Sequence, residues 1–575
     1  LDCCQSSIDD CCAKYTLGSS RHSMRPTNMP QRFLRSLSAG GLVLGTVFFA
    51  ASLTPSLIPR TYLMQGALSG ACFAAGYGIG IVWRWLWRYM GLPEPRDRYL
   101  RVIKISAALI CAAVAIGFLW QSNAWQNSIR KIMELEPVTS AHSIEICLIA
   151  IVTFLVLVLF ARLFTTVVRR LSRFADSFMP PRVARVIGVS VGIVLFWAVA
   201  NGLLLRSALH AIDSSYAEID ALFEPDQERP TEPFVTGSSA SLLAWNELGR
   251  TGRRFIASGP TVAEITALTQ KPALSPIRVY AGLPAGETAE QRAKLALEEL
   301  KRVGGFDRSM LVVITPTGTG WVDPSAIDSL EYLHNGDVAS VAMQYSYLSS
   351  PLSLIIEPDY GAEAARALFS AVYAYWTTLP KNHRPKFYLH GLSLGAMNSE
   401  RSANLFEIIG DPIQGAVWSG PPFESSIWRQ VTAARNSGTP AWLPGFGDGS
   451  MFRFMNQDGS TVPADAPWGP VRIVYLQYAS DAITFFDYRD AYRRPGWMDA
   501  PRGPDVSPQL RWFPVVTMLQ LAFDMAVANS APMGYGHVFA PEHYVDAWLS
   551  VTAPEGWVAD RVASLKEHLI HRSGR

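Results

Sequence analysis

Charge is what this chain has least of. Asp, Glu, Lys and Arg make up 17% of its 575 residues, against roughly 25% in ordinary soluble domains. With 49% apolar residues, that deficit points to membrane segments. The formal net charge is only +2, so no polyanionic partner is implied. No basic stripe interleaved with aromatics suggests nucleic acid either. Cysteine is missing after Cys147, which excludes a disulfide, a cysteine nucleophile or a cysteine ligand from the long C-terminal part. Four of the seven cysteines, Cys3, Cys4, Cys11 and Cys12, lie in the first dozen residues. Such pairs can bind metal, but they precede Met24-Arg25-Pro26, a more natural start. Residues 1–23 therefore read as a non-native upstream extension, part of an N-terminal segment 1–35, and are set aside. No cofactor and no metal is expected.

What is present in the first part is long apolar runs. They cover Ser36–Leu57, Leu63–Trp83, Ile105–Trp120, Ile146–Phe160 and Val186–Leu205. Each approaches the roughly 20 residues that cross about 30 Å of hydrocarbon as a helix. The expectation is a bundle of five transmembrane helices over 36–206. None has a charge near its centre, so no proton relay or ion path is indicated. Gly41 with Gly45, Gly66 with Gly70 and Gly188 with Gly192 are spaced for close helix packing. Arginine and lysine crowd the segments before the first run, between the second and third, and between the fourth and fifth. The other two loops hold only Arg60, and Arg130 with Lys131. By the positive-inside rule the N-terminus is cytoplasmic and everything after the fifth span lies outside the cytoplasmic membrane.

A Pro- and acid-rich stretch, Glu224–Ser239, closes a linker over 207–239. Beyond it, 240–575 alternates apolar strands with helical periodicity, the pattern of a mostly parallel sheet covered on both faces. Strands are expected at Ile277–Ala281, Met310–Thr315, Val338–Gln344, Lys386–Leu392, Gln414–Ser419 and Arg472–Tyr478. Between about 421 and 470 the alternation breaks into proline, glycine and tryptophan, which suggests a cap-like insertion.

The chemistry centres on Lys386-Phe387-Tyr388-Leu389-His390-Gly391-Leu392-Ser393-Leu394-Gly395. A strand enters a G-x-S-x-G turn and a helix leaves it, which holds a serine hydroxyl at the top of a sheet. A serine needs a base and a carboxylate to orient that base. On such a sheet the chain order is serine, acid, histidine. Asp481 stands just past the strand ending at Tyr478. Asp487, Asp490 and Asp524 are the in-order alternatives. His537 sits in the glycine-rich loop Met533-Gly534-Tyr535-Gly536-His537. His543, His568 and His571 also follow. Two backbone amides should form an oxyanion hole: Leu394, directly after the serine, and Thr317 or Gly318 in the loop leaving Ile314. That loop lacks the Gly-Lys-Ser/Thr ending of a phosphate-binding loop.

Several further segments occur in order: Ser52-Leu53-Thr54-Pro55-Ser56-Leu57-Ile58-Pro59-Arg60, Pro276–Leu283, Thr317–Asp323, Gln344–Leu348, Ser419-Gly420-Pro421-Pro422-Phe423 and Arg511–Val516. Together they resemble a bacterial membrane-anchored α/β-hydrolase family with its own N-terminal multi-span domain. The resemblance spans about 35–575. It implies an α/β-hydrolase fold, Ser393 as nucleophile, Asp481 as acid and His537 as base. Alanine stands at 482 where that family's pattern leads one to expect proline. The expected activity is a serine hydrolase that cleaves acyl esters, with small-molecule or lipid esters as substrates and membrane lipids as surroundings. An acyltransferase with the same triad and a non-enzymatic envelope scaffold are the alternatives. The acyl group and the oligomeric state are not legible.

Overall fold

The computed structural model describes residues 37–93, 97–198, 220, 227–348, 359–403 and 405–574. The N-terminal segment with its four cysteines, the end of the fifth apolar run and most of the expected linker lie outside these residues.

The N-terminal part is all helical. Helices α1 (Ala39–Ser52), α2 (Tyr62–Tyr89), α3 (Asp97–Ile132), α4 (Ser143–Ala175) and α5 (Pro181–Ala198) follow one another. Three of them are long and apolar enough to cross a membrane: α2, α3 from Val102 onward, and α4. Their outer faces carry exposed Leu109, Ile110, Ile116, Leu148, Ile151 and Val152, side chains that suit lipid and not water. The paired glycines seat the helices against each other. A Cβ at Gly80 would lie 2.6 Å from Gly41 Cα, and one at Gly70 would lie 2.6 Å from the Ala150 carbonyl oxygen. These positions are helix contacts, not a groove.

The first apolar run departs from expectation. Its helix has 14 residues, about 21 Å, and stops at Ser52. Leu53, Leu57 and Ile58 are fully buried, but Leu57 belongs to the core of the C-terminal half. The end of this run is apolar because protein covers it, not lipid.

The C-terminal half is built on one sheet of eight strands: β1 (Ile277–Ala281), β2 (Met310–Thr315), β3 (Val338–Met343), β4 (Lys386–Leu392), β5 (Gly415–Ser419), β6 (Phe452–Asn456), β7 (Gly459–Ser460) and β8 (Arg472–Leu476). Their order is β1-β3-β2-β4-β5-β8-β6-β7. All pairings are parallel except β6 with β7. Strand alternation splits the core in two. Leu311, Val313, Ala339 and Val341 face one cluster, with α6 (Ala289–Arg302) and α8 (Tyr360–Thr378). Val312, Ile314, Val338 and Ala342 face the other, with α7 (Pro324–Leu333), α12 (Pro541–Thr552) and α13 (Ala559–Arg572). Helix α6 opens with the capping box of Thr288 and Gln291, as its sequence requires.

The stretch 421–470 is not simply a cover. Its Phe452–Asn456 pairs with β8 as a sheet strand, and Trp428 and Trp442 are buried in the first core cluster. Helix α10 (Ser426–Ala433) lies in this stretch. It is tied to helix α9 (Leu394–Ser402), which follows the serine, by the Glu400 carboxylate. That group accepts the Trp428 N–H and the Tyr475 hydroxyl at 3.3 and 2.9 Å.

Buried arginines tie the molecule at two places. On the β1 edge, Arg278 is held by Glu331 at 2.8 and 2.7 Å and by Asp328 at 2.7 Å, both acids from α7. Where the two halves meet, Arg60 Nε donates to Asp524 Oδ1 at 2.8 Å with both side chains fully buried. Asp524 lies on α11 (Val516–Ala526), which packs its Val516 against Ala51, Leu68 and Cys72.

Candidate active site

Strand β4 delivers Ser393 in a conformation that non-glycine residues avoid, with φ 59° and ψ −125°. Its backbone N–H donates to the Ser419 carbonyl at 2.9 Å, so the turn is fastened to the end of β5. Helix α9 starts at once. Neither flanking glycine has room for a side chain: a Cβ at Gly391 would lie 2.4 Å from the Gly395 carbonyl, and one at Gly395 would lie 2.2 Å from the Thr315 carbonyl oxygen. Strain of this kind persists only where surrounding contacts enforce it.

The same contact sets the loop after β2 against the serine turn. Within that loop the Thr317 N–H donates to the Trp321 carbonyl at 3.0 Å. That amide closes a turn and does not point a donor at substrate. Gly318, the other residue expected there, follows it in the same loop.

Asp481 caps the short helix after β8. Its Oδ1 accepts the Ile483 N–H at 2.9 Å, and its Oδ2 accepts the Thr484 hydroxyl at 3.0 Å and lies 2.7 Å from His537 Nδ1. A carboxylate only accepts, so Nδ1 carries the proton and Nε2 presents its lone pair. Nε2 is buried with no hydrogen-bond partner. The His537 ring lies against Gly420, just past the β5 residue that holds the serine turn. A Cβ there would fall 2.5 Å from His537 Cε1. Ser393, Asp481 and His537 are 5%, 0% and 6% exposed, so their charges and dipoles act with little solvent screening.

The other candidates are occupied elsewhere. Asp487 caps its own 3₁₀ turn by accepting the Arg489 N–H at 2.8 Å. Asp490 is buried beside it, its carboxyl pushed up to about 7 by desolvation. Asp524 is paired with Arg60. His543 Nδ1 lies 2.6 Å from the Tyr478 hydroxyl. His568 Nε2 is 2.9 Å from the Tyr332 hydroxyl. His571 sits in the last turn of α13.

Two further groups had no assigned role in the sequence reading. Gly420 is needed because the histidine ring fills the space where its side chain would go. Asp505 accepts both the backbone N–H and the hydroxyl of Ser480, and the Ser480 hydroxyl in turn accepts the Gly536 N–H at 2.8 Å. This chain links the neighbour of Asp481 to the neighbour of His537. Only the pairing of serine with aspartate at 480–481, ahead of a glycine-histidine, hinted at it.

Residues 277–565 match the alpha/beta-hydrolase family. The chain belongs to that family. Residues 53–260 match a companion described as the alpha/beta-hydrolase family N-terminus, so this α/β-hydrolase carries a distinct N-terminal region of the family's own kind. No curated protein and no solved structure matches the chain. The family supports a hydrolase-type function, and the G-x-S-x-G turn of this α/β-hydrolase lies inside the matched residues.

Proposed function

We propose that the protein is a membrane-anchored serine hydrolase that cleaves acyl esters through an acyl-enzyme. One observation carries the reading. His537 is hydrogen-bonded to Asp481 through Nδ1, and its unclaimed, buried Nε2 belongs to a ring packed against Gly420, the residue after Ser419, whose carbonyl holds the Ser393 N–H. Nε2 takes the hydroxyl proton as Ser393 Oγ attacks the acyl carbonyl carbon. The Leu394 and Gly318 amides receive the oxyanion. His537 returns the proton to the leaving alkoxide, which departs as an alcohol. Water then attacks the acyl-enzyme and gives its proton to Nε2. The carboxylic acid leaves as Ser393 regains a proton. Asp481 keeps the imidazole in the one tautomer that allows both transfers.

Anchoring is supported by the three long apolar helices. Orientation is supported by where the loops fall. The segments poor in basic residues, between α1 and α2 and between α3 and α4, are the ones that touch the hydrolase half. The basic segments between α2 and α3 and between α4 and α5 join the opposite ends of these helices. The proposed location is the cytoplasmic membrane with the N-terminus cytoplasmic and the hydrolase half outside. Ester-linked envelope lipids fit a site so close to the helix ends.

The test is the full-length protein in detergent with a fluorophosphonate probe and short-chain acyl esters. Wild type should be labelled at Ser393, and Ser393→Ala should lose labelling and at least about 10³-fold in kcat, in line with removal of a triad nucleophile. Labelling at another residue sinks the assignment. A new ester in place of free acid, when alcohols are supplied, moves the second step to an acyl acceptor.

A further inference from the structure

We propose that the N-terminal helical region is part of the active site's architecture, and that Ile58 is a positioning residue for His537. The inference rests on the triad reading above.

His537 stands in a short turn that is braced from outside at several points, its own Nδ1–Asp481 bond among them. Gly534 and Gly536 have φ of 92° and 58°. The loop's backbone closes on itself by the Gly534 N–H to the Val538 carbonyl at 2.8 Å. One external hold is Ser480, through Gly536. A second is Gln457, whose side chain donates to the Gly534 carbonyl at 3.1 Å. The third comes from the other end of the chain. Ile58, Ile129 and Met133 form one buried cluster with Ala531, and Leu135, Val527, Tyr535 and Val538 pack against it. A Cβ on Gly536, the residue before the base, would lie 3.5 Å from Ile58 Cγ2. The floor of the histidine loop is thus shared between its own half, through Ala531 and Ala528, and the α1–α2 connection with the end of α3.

Ile58 is itself fixed from both sides. Before it, the Leu57 N–H donates to Asp524 Oδ2 at 3.1 Å and the Ser56 hydroxyl to Asp524 Oδ1 at 3.2 Å. After it, the Arg60 N–H donates to Gln126 Oε1 at 3.1 Å on α3, and Arg60 Nε returns to Asp524. Gln520 adds a bond from its side chain to the Thr54 carbonyl at 3.0 Å. Asp524 and Gln520 are on α11, the helix that runs on into Ala531 and the histidine loop. One segment therefore grips the helix leading to the loop and also pushes a side chain under the loop. Nothing in this set touches substrate. Its effect is on where Nε2 sits relative to Ser393, and small displacements of a reacting group cost orders of magnitude in rate.

The experiment uses the full chain in detergent or nanodiscs. Ile58→Ala should slow fluorophosphonate labelling of Ser393 and lower kcat about 10-fold, with KM unchanged. Ile58→Val should recover most of the loss. Phe154→Ala is the control. It removes a ring packed edge-on against Phe73 and Tyr77 inside the bundle and touches no part of the histidine loop. It should lower the unfolding temperature yet leave kcat and labelling as in wild type. Ile58→Ala that labels at the wild-type rate overturns the inference while the triad reading stands. Equal slowing by Phe154→Ala overturns it too, by showing a general stability effect. Failure of wild type to label at Ser393 removes both readings together.

Discussion

Two buried arginines invite comparison. Arg278 is held by acids from a neighbouring helix of the same half, joined by Arg572 at 3.1 Å from Asp328. Arg60 is held by an acid that lies 464 residues away in the other half. Both obey the same rule: a guanidinium leaves water only when carboxylates and carbonyls replace its hydration. They differ in what the bond joins. The first staples a sheet edge to its own helix. The second makes two regions into one object, with the His537 loop at the seam.

The sharpest way to break that comparison is to strip one acid or one arginine from each site. Asp524→Ala and Arg278→Ala should each cost about 3–5 kcal/mol in denaturant unfolding, because each leaves an uncompensated buried charge. Their catalytic consequences should diverge. At temperatures where both remain folded, Asp524→Ala should slow labelling of Ser393, and Arg278→Ala should not. Similar labelling rates in the two variants would erase the distinction.

Acid sharpens it further. His390 Nδ1 donates to the Val417 carbonyl at 2.8 Å inside the sheet, and His334 meets the Thr552 hydroxyl at 2.9 Å. Burial pushes both imidazoles down to about 4. Their folded pKa is depressed, so the unfolded chain binds protons first as pH falls. Stability is full above about pH 6.5 and is lost between there and about pH 4, on the order of 3 kcal/mol for each group. At the seam the sign is opposite. Burial holds the Asp524 carboxyl above its ordinary range despite Arg60, so that group gains protons in the fold and contributes no acid weakness. His390→Gln should flatten the acid limb of a stability–pH curve. An unchanged limb would mean that acid acts elsewhere.

The smallest effect belongs to a single neutral bond across the seam. Ser128 Oγ lies 3.0 Å from Ser507 Oγ, and Ser128→Ala should cost about 1 kcal/mol with no change in kcat. A larger loss in thermal unfolding would show that the seam works as a network and not as separate bonds.

Local pattern carried much of this fold. Continuous apolar strands, capped helices and the G-x-S-x-G turn are short-range features, so Met310–Thr315, Val338–Met343 and Lys386–Leu392 were legible from the chain alone. The order of Ser393, Asp481 and His537 was legible too, and the structure joins the last two by a hydrogen bond. What escaped depends on partners far away in sequence. Strand β6 reads Phe-Arg-Phe-Met-Asn, and its buried Arg453 disguises it until the carbonyls of Gly449 and Ala466 are seen to take the charge. Leu53 to Ile58 reads as membrane because hydropathy reports apolarity and not what covers it. Thr317 looked like an oxyanion donor because nothing local reveals that Trp321 already holds its amide. Asp505 and Gly420 gain their roles only from groups brought beside them by the fold.

The grip of Arg60 on Asp524 also sets a clock. A ribosome makes Asp524 464 residues after Arg60. Until then the Arg60 guanidinium has only local partners such as Gln65, and the histidine loop does not exist. Long-range pairings of this kind are closed late. The support beneath the His537 loop thus cannot be completed until both segments have been made.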